Sequence, residues 1–93
     1  MDEIIVTVPS LLASTFGGNK EIKVSAKNLR MLIDELAKKF GNNVKERFID
    51  SEGKLRPVIN IYVNGKNVRF SGELETDLNP NDKVTILPAV AGG

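Results

Sequence analysis

The chain closes on "TILPAVAGG", residues 85–93, and its last two residues, Gly92 and Gly93, carry no side chain with which to pack or react. The chemistry open to such a protein is narrowed by what it lacks. There is no Cys and no His in 93 residues. No disulfide, thiolate nucleophile or side-chain persulfide can form. The only side chain that ordinarily titrates between pH 5 and 8, and the commonest metal ligand, is also missing. A carboxylate pair or a tuned lysine remains available, but the twelve acids are scattered and none falls at a metal-loop spacing. The expectation is a protein that is not an enzyme and holds no metal, with a terminus that serves some other end.

The elements that must present this terminus can be read from hydrophobic period. "EIIVTV" places Ile4, Val6 and Val8 at alternate positions, a strand pattern that Pro9 ends. "KEIKVS" places Ile22 and Val24 on one face, predicting a second strand joined to the first by a hairpin through Gly17, Gly18 and Asn19. Leu29, Leu32, Ile33, Leu36, Ala37 and Phe40 then form one stripe of an amphipathic helix, with Ser25 as its expected N-cap and Gly41 past its end. Residues 42–57 predict a short helical turn at 44–49 and a polar loop up to Pro57. "VINIYVNGKNVRF" reads as two strand runs about Asn64-Gly65, a pair suited to a type I′ turn. "SGELETDLNPND" is an irregular crossing with Leu74 and Leu78 as buried anchors, and "KVTIL" is a last strand ended by Pro88. The order ββαβ(β)β predicts an α+β β-grasp, or ubiquitin-like, fold: a mixed sheet with one main helix on one face and the other face open.

Length and composition agree with a single soluble domain. A chain this short buries little more than about 60% of its unfolded surface and cannot support two cores. Thirteen basic and twelve acidic side chains leave a net charge of +1, so no global field points to nucleic acid or to an anionic membrane. Lys38, Lys39, Lys45, Arg47, Lys54 and Arg56 make a mildly basic middle without interleaved aromatics, which reads as a solvated face. No apolar run is long enough for a membrane span, and "MDEIIVTV" is no signal peptide, so the expected location is cytoplasmic.

The segment "VINIYVNGKNVRFSGELETDLNPNDKVTILPAVAGG" resembles the C-terminal half of the MoaD/ThiS family of ubiquitin-like sulfur carriers. "NIYVNG", "VRF" and "ILPAVAGG" are most similar to the carriers of a cysteine-biosynthesis pathway within it, and with the helix and first strand in place the likeness spans the chain. One departure is "NPND" at residues 79–82, where relatives often carry an Asp-Gly-Asp turn; it bears on the conformation of that turn. The resemblance implies a β-grasp domain over residues 1–87 and an extended, flexible tail over 88–93. It also implies that the Gly93 carboxylate is adenylated by an ATP-dependent, ubiquitin-activating-like adenylyltransferase and converted to a thiocarboxylate. The carrier itself binds no cofactor. Threading a chain end into a closed adenylation site favours residues without Cβ, which suits Gly92 and Gly93, while small Ala89, Val90 and Ala91 keep the tail slim and Pro88 fixes φ at its root.

The partners so implied are the activating enzyme, a sulfur donor, and either a PLP-dependent cysteine synthase or the large subunit of a molybdopterin synthase. A metalloprotease would release the amino acid formed in the first case. Phe70 and Tyr62 are candidates for an apolar docking patch on the open sheet face, where the alternative is ordinary cross-strand packing. Arg69 and Arg56 are candidates for steering an acidic surface of the activating enzyme. Other readings remain: a molybdopterin-, tRNA- or thiazole-directed carrier, a protein modifier that joins Gly93 to lysines, or an interaction domain with an inert tail.

Overall fold

The computed structural model describes residues 3–88. Strands β1 (Glu3–Thr7), β2 (Glu21–Ser25), β3 (Ile59–Val63), β4 (Lys66–Asn67) and β5 (Lys83–Pro88) form one sheet in the order β2-β1-β5-β3-β4. β1 and β5 are parallel at its centre and the other neighbours are antiparallel. Three α-helical segments intervene: α1 (Ser10–Ala13), α2 (Leu29–Phe40) and α3 (Asn42–Phe48). A parallel central pair whose strands open and close the chain, with a helix crossing one face, is the β-grasp arrangement.

The alternation in the sequence decides which sheet face is covered. Ile4, Val6, Ile22, Val24, Ile59, Ile61, Val84 and Ile86 all point inward and are buried, and they meet Leu29, Leu32, Ile33 and Leu36 of α2. At about 1.5–3 kcal/mol for each large side chain, this layer is the main favourable term set against chain entropy. Ala37 and Phe40, also predicted on the stripe, are half-buried at its C-terminal end. Leu74 and Leu78 anchor the crossing segment in the core as expected.

Four local expectations are corrected. Ser25 does not cap α2, because it is still in β2, paired with Glu3; the cap is Asn28, whose Oδ1 accepts from the Met31 amide at 2.8 Å. The link between β1 and β2 is no tight hairpin: α1 and a 3-10 turn at Ser14–Phe16 precede the glycines. Phe16 explains this detour, since its ring is buried, edge-on to Phe40 at 5.6 Å and stacked on Phe48 at 6.1 Å. The helical turn at 44–49 is the full α3, entered directly from Gly41, whose φ of 103° breaks the chain between two helices. Last, "VRF" is not a strand. The Asn64-Gly65 turn forms, with φ of 52° and 86°, but β4 stops at Asn67 and Val68–Phe70 curl into a 3-10 turn capped by Asn67 Oδ1 on the Arg69 amide.

Candidate functional site

Pro88 is the last residue of β5 and lies opposite Ile59. Residues 89–93, including Ala89, Val90, Ala91, Gly92 and Gly93, lie outside the described residues. What the structure defines is therefore the root from which the terminus departs. Proline is tolerated there for a reason of ladder geometry. The Asn64 amide donates to the Lys83 carbonyl, so the pairs bonded between β3 and β5 are 64/83, 62/85 and 60/87. The 59/88 pair falls between bonded rungs, and Pro88 has no ladder bond to β3 to forfeit.

β5 is held on both sides only in its first half. β1 runs beside it as far as Thr7, opposite Thr85, and the ladder phase puts the Ile86 amide on the Thr7 carbonyl; past that point, among the described residues, β3 alone pairs with Leu87 and Pro88. Ile86, 1% exposed, is the last side chain of the strand anchored in the core.

On the open face, Glu21, Thr7, Thr85, Tyr62 and Asn67 lie in one row across the sheet, and Leu87 and Asn60 form the next rung toward the root. In these two rungs the one charged residue is Glu21, at the β2 edge. Two lysines lie on the other side of the row, where Lys23, Ile5 and Lys83 are neighbours. Val58 and Leu87, 58% and 39% exposed, adjoin Ile59 and Pro88, so large apolar side chains face solvent around the root.

The residues singled out from the sequence divide here. Tyr62 stands on the open face, half-buried between Thr85 and Asn67. Phe70 is not on a strand; it ends the 3-10 turn at the sheet edge, 81% exposed. Arg69 faces inward to its own chain, where its Nη2 donates to the Arg56 carbonyl at 2.9 Å and the Ile59 carbonyl at 2.8 Å. Arg56 is also engaged, its Nε donating to the Glu46 carbonyl at 2.6 Å. Two of the basic middle residues are paired, Lys45 with Asp34 and Lys38 with Glu35. Sequence reading missed Leu87 and Val58. The signal for Leu87 was present in "VTIL", where it is out of phase with inward-facing Val84 and Ile86, and a leucine on the solvent side of a strand is the unusual feature.

Residues 6–93 match the ThiS family. The chain belongs to that family. Its similarity to the sulfur carrier protein CysO of Mycobacterium tuberculosis is 44% identity over 92 residues, covering 97% of this chain and 98% of the relative. Among solved structures it resembles CysO in the Amycolatopsis orientalis BexX/CysO complex, with a TM-score of 0.88 and 39% identity over 97% of this chain and 99% of that one. It also resembles the small archaeal modifier protein 1 of Methanosarcina acetivorans, with a TM-score of 0.81 and 30% identity over 100% of this chain and 98% of that one. A ThiS-family carrier is acted on by enzymes rather than being one, which accords with a chain that has neither Cys nor His. Among the described residues, no helix is long and apolar enough to cross a membrane.

The family's turn before β5 shows how a departure is absorbed. Asn81 has a φ of 72°, the left-handed conformation for which glycine is the usual choice, and asparagine is among the few other residues that tolerate it. With Pro80 ahead of it and the Asp82 amide bonded to the Asn79 carbonyl at 3.1 Å, "NPND" closes as a β-turn.

Proposed function

We propose that this chain carries sulfur on the carboxyl carbon of Gly93, in a tail of residues 88–93 rooted at Pro88. The observation that carries the reading is that the ThiS match extends through residue 93, so the terminal Gly92-Gly93 belongs to the shared pattern. A carboxylate is a poor electrophile. Attack of a Gly93 carboxylate oxygen on the α-phosphorus of ATP expels pyrophosphate and forms an acyl adenylate. Hydrosulfide from a sulfur donor adds to the acyl carbon and AMP leaves, giving the thiocarboxylate. ATP is bound by the adenylating enzyme, and the carrier supplies only a slim terminus: glycine at 92 and 93 for the enclosed site, and small Ala89, Val90 and Ala91 leading to it.

The end of the open face nearest the root, with Tyr62 and Leu87, together with exposed Phe70, is the surface we assign to contact with the adenylating enzyme. The support is the exposure of Leu87 and Val58 beside the tail root and of Phe70 after β4. Similarity to CysO favours delivery to an activated serine derivative in a PLP-dependent cysteine synthase, in the cytoplasm, over delivery to a molybdopterin synthase large subunit. That a CysO is found in a complex with BexX supports a carrier that docks on other proteins.

A second reading is favoured by the 30% identity to a small archaeal modifier: Gly93 joined to a lysine amine of a target protein. Intact-mass spectrometry after incubation with ATP, sulfide and the adenylating enzyme separates the two. Replacement of one oxygen by sulfur at Gly93 is the expected result, and it must vanish when Gly93 is deleted although the thermal midpoint is unchanged. Higher-mass adducts with glycine remnants on lysine establish the modifier. Sulfur transfer that survives the deletion overturns both readings.

A further inference from the structure

We infer that Arg69 is a positioning residue for the chemistry at the terminus: by replacing the missing end of β4 it fixes the last rung of the sheet, from which the tail departs. The inference rests on the sulfur-carrier reading for its consequence, but its structural half stands on geometry alone. The two-residue Asn64-Gly65 turn closes on the Val63–Lys66 pair, so by the two-residue period of the ladder Ile61 and Ile59 also aim their amides and carbonyls toward the β4 side. A full-length β4 would have bonded Ile59 in turn. Instead the chain curls away after Asn67, leaving the edge at Ile59 without a strand partner.

The guanidinium takes the place of that strand. One Nη2 amino group has two N–H bonds, and it donates to two carbonyls, Ile59 at 2.8 Å and Arg56 at 2.9 Å. The Arg56 carbonyl also accepts from the Ile59 amide at 3.3 Å, so Arg56, Ile59 and Arg69 close one compact knot. Arg56 is itself fixed by its amide on the Phe48 carbonyl at 2.8 Å, which ties the knot to buried Phe48 at the end of α3. Asn67 holds the Arg69 backbone by its 2.9 Å bond to the amide. These bonds brace the side of Ile59 that faces away from β5, and Pro88 is on the other side.

The brace matters because, among the described residues, β3 is the sole strand paired with β5 beyond Ile86. If Ile59 and Val58 fray, the root is free to pivot from Leu87 onward. Gly93 lies five positions beyond Pro88 in the sequence, so the direction of the root sets where the terminal carboxylate is presented. Reaction in an enclosed site is sensitive to displacements near 1 Å. Of the docking face, Tyr62 and Thr85 lie farther along the sheet and keep their place, whereas Leu87 and Phe70 adjoin the braced region.

Two readouts test this on the full chain. In Arg69→Ala, amide hydrogen exchange should accelerate at Asn60 and Leu87, the last bonded rung, while Ile4 and Val6 keep their protection. In pyrophosphate exchange with the adenylating enzyme, kcat should fall about tenfold and KM rise by less than that, as expected when misplacement of a reacting atom outweighs weakened docking. Arg69→Lys, which retains donors on a shorter reach, should recover part of both. Unchanged exchange at Asn60 and Leu87 overturns the brace, whatever the enzyme assay shows. Raised KM and altered salt dependence with kcat retained would instead make Arg69 a contact to the enzyme and overturn the positioning role. Failure of the wild-type chain to be adenylated rejects the sulfur-carrier reading and its consequence, leaving the exchange result to decide the brace.

Discussion

The two ends of β5 are built in opposite ways. At its start, the 79–82 turn and the 64–65 turn are bonded to each other: Asp82 accepts from the Asn64 side chain at 2.8 Å and from the Asn79 amide at 2.8 Å, and the Asn64 side chain accepts from the Lys83 amide at 3.0 Å. The Asn81 amide bonds the Glu3 carbonyl and the Ile5 amide bonds the Asp82 carbonyl, so β1 is drawn into the same lock. At its finish, β1 is gone and only β3 remains, backed by one arginine. One end has many short bonds from local polar residues, and the other has few bonds and exposed apolar groups. The end proposed to present a chain terminus to another protein is thus the less tightly held of the two among the described residues, and the redundancy that keeps the sheet in register is placed opposite.

That contrast can be broken by substitution. Ile86→Ala removes the last core anchor before the root, and unfolding in denaturant should show a loss of about 2–5 kcal/mol, the usual cost of such a truncation in a packed core. Asp82→Ala removes two hydrogen bonds from the lock. Because this end is redundant and near the surface, the expected loss is only about 1 kcal/mol by the same measurement, with thiocarboxylate yield unchanged at 25 °C. Smaller again is the effect of the turn residue: Asn81→Ala should cost about 1 kcal/mol or less by thermal unfolding, since alanine is disfavoured at positive φ, whereas Asn81→Gly should lie within about 0.5 kcal/mol of the parent. An Asp82→Ala chain that lost sulfur loading while still folded would erase the proposed division between the two ends.

The elements were legible where one strong period ran undisturbed. Strands with Ile4 and Val6, or Val84 and Ile86, and the helix stripe from Leu29 could each be read because burial on one face imposes a repeat of two or of 3.6 residues. The failures share a cause. Ser25 resembles a cap, but its place in the ladder with Glu3 was not visible in local sequence. "VRF" has strand composition, but the capture of Arg69 by carbonyls ten and thirteen residues away turned it into a 3-10 curl. "SLLASTF" offered no clear period, and its course is set by Phe16 meeting Phe40 and Phe48. Each was decided by a partner distant along the chain.

Residue types alone determined what this protein does not do through its side chains, because thiol and imidazole chemistry need atoms that are absent from all 93 residues. They also determined the alternation that builds the sheet and the terminal glycines that point to the carrier chemistry. Tertiary structure decided where β4 ends, which face of Arg69 is in use, and that Pro88 sits between bonded rungs with a single flanking strand. The physical reason is that period and composition are properties of neighbours in sequence. The fate of an unpaired carbonyl at a sheet edge depends on whatever the fold brings within about 3 Å of it.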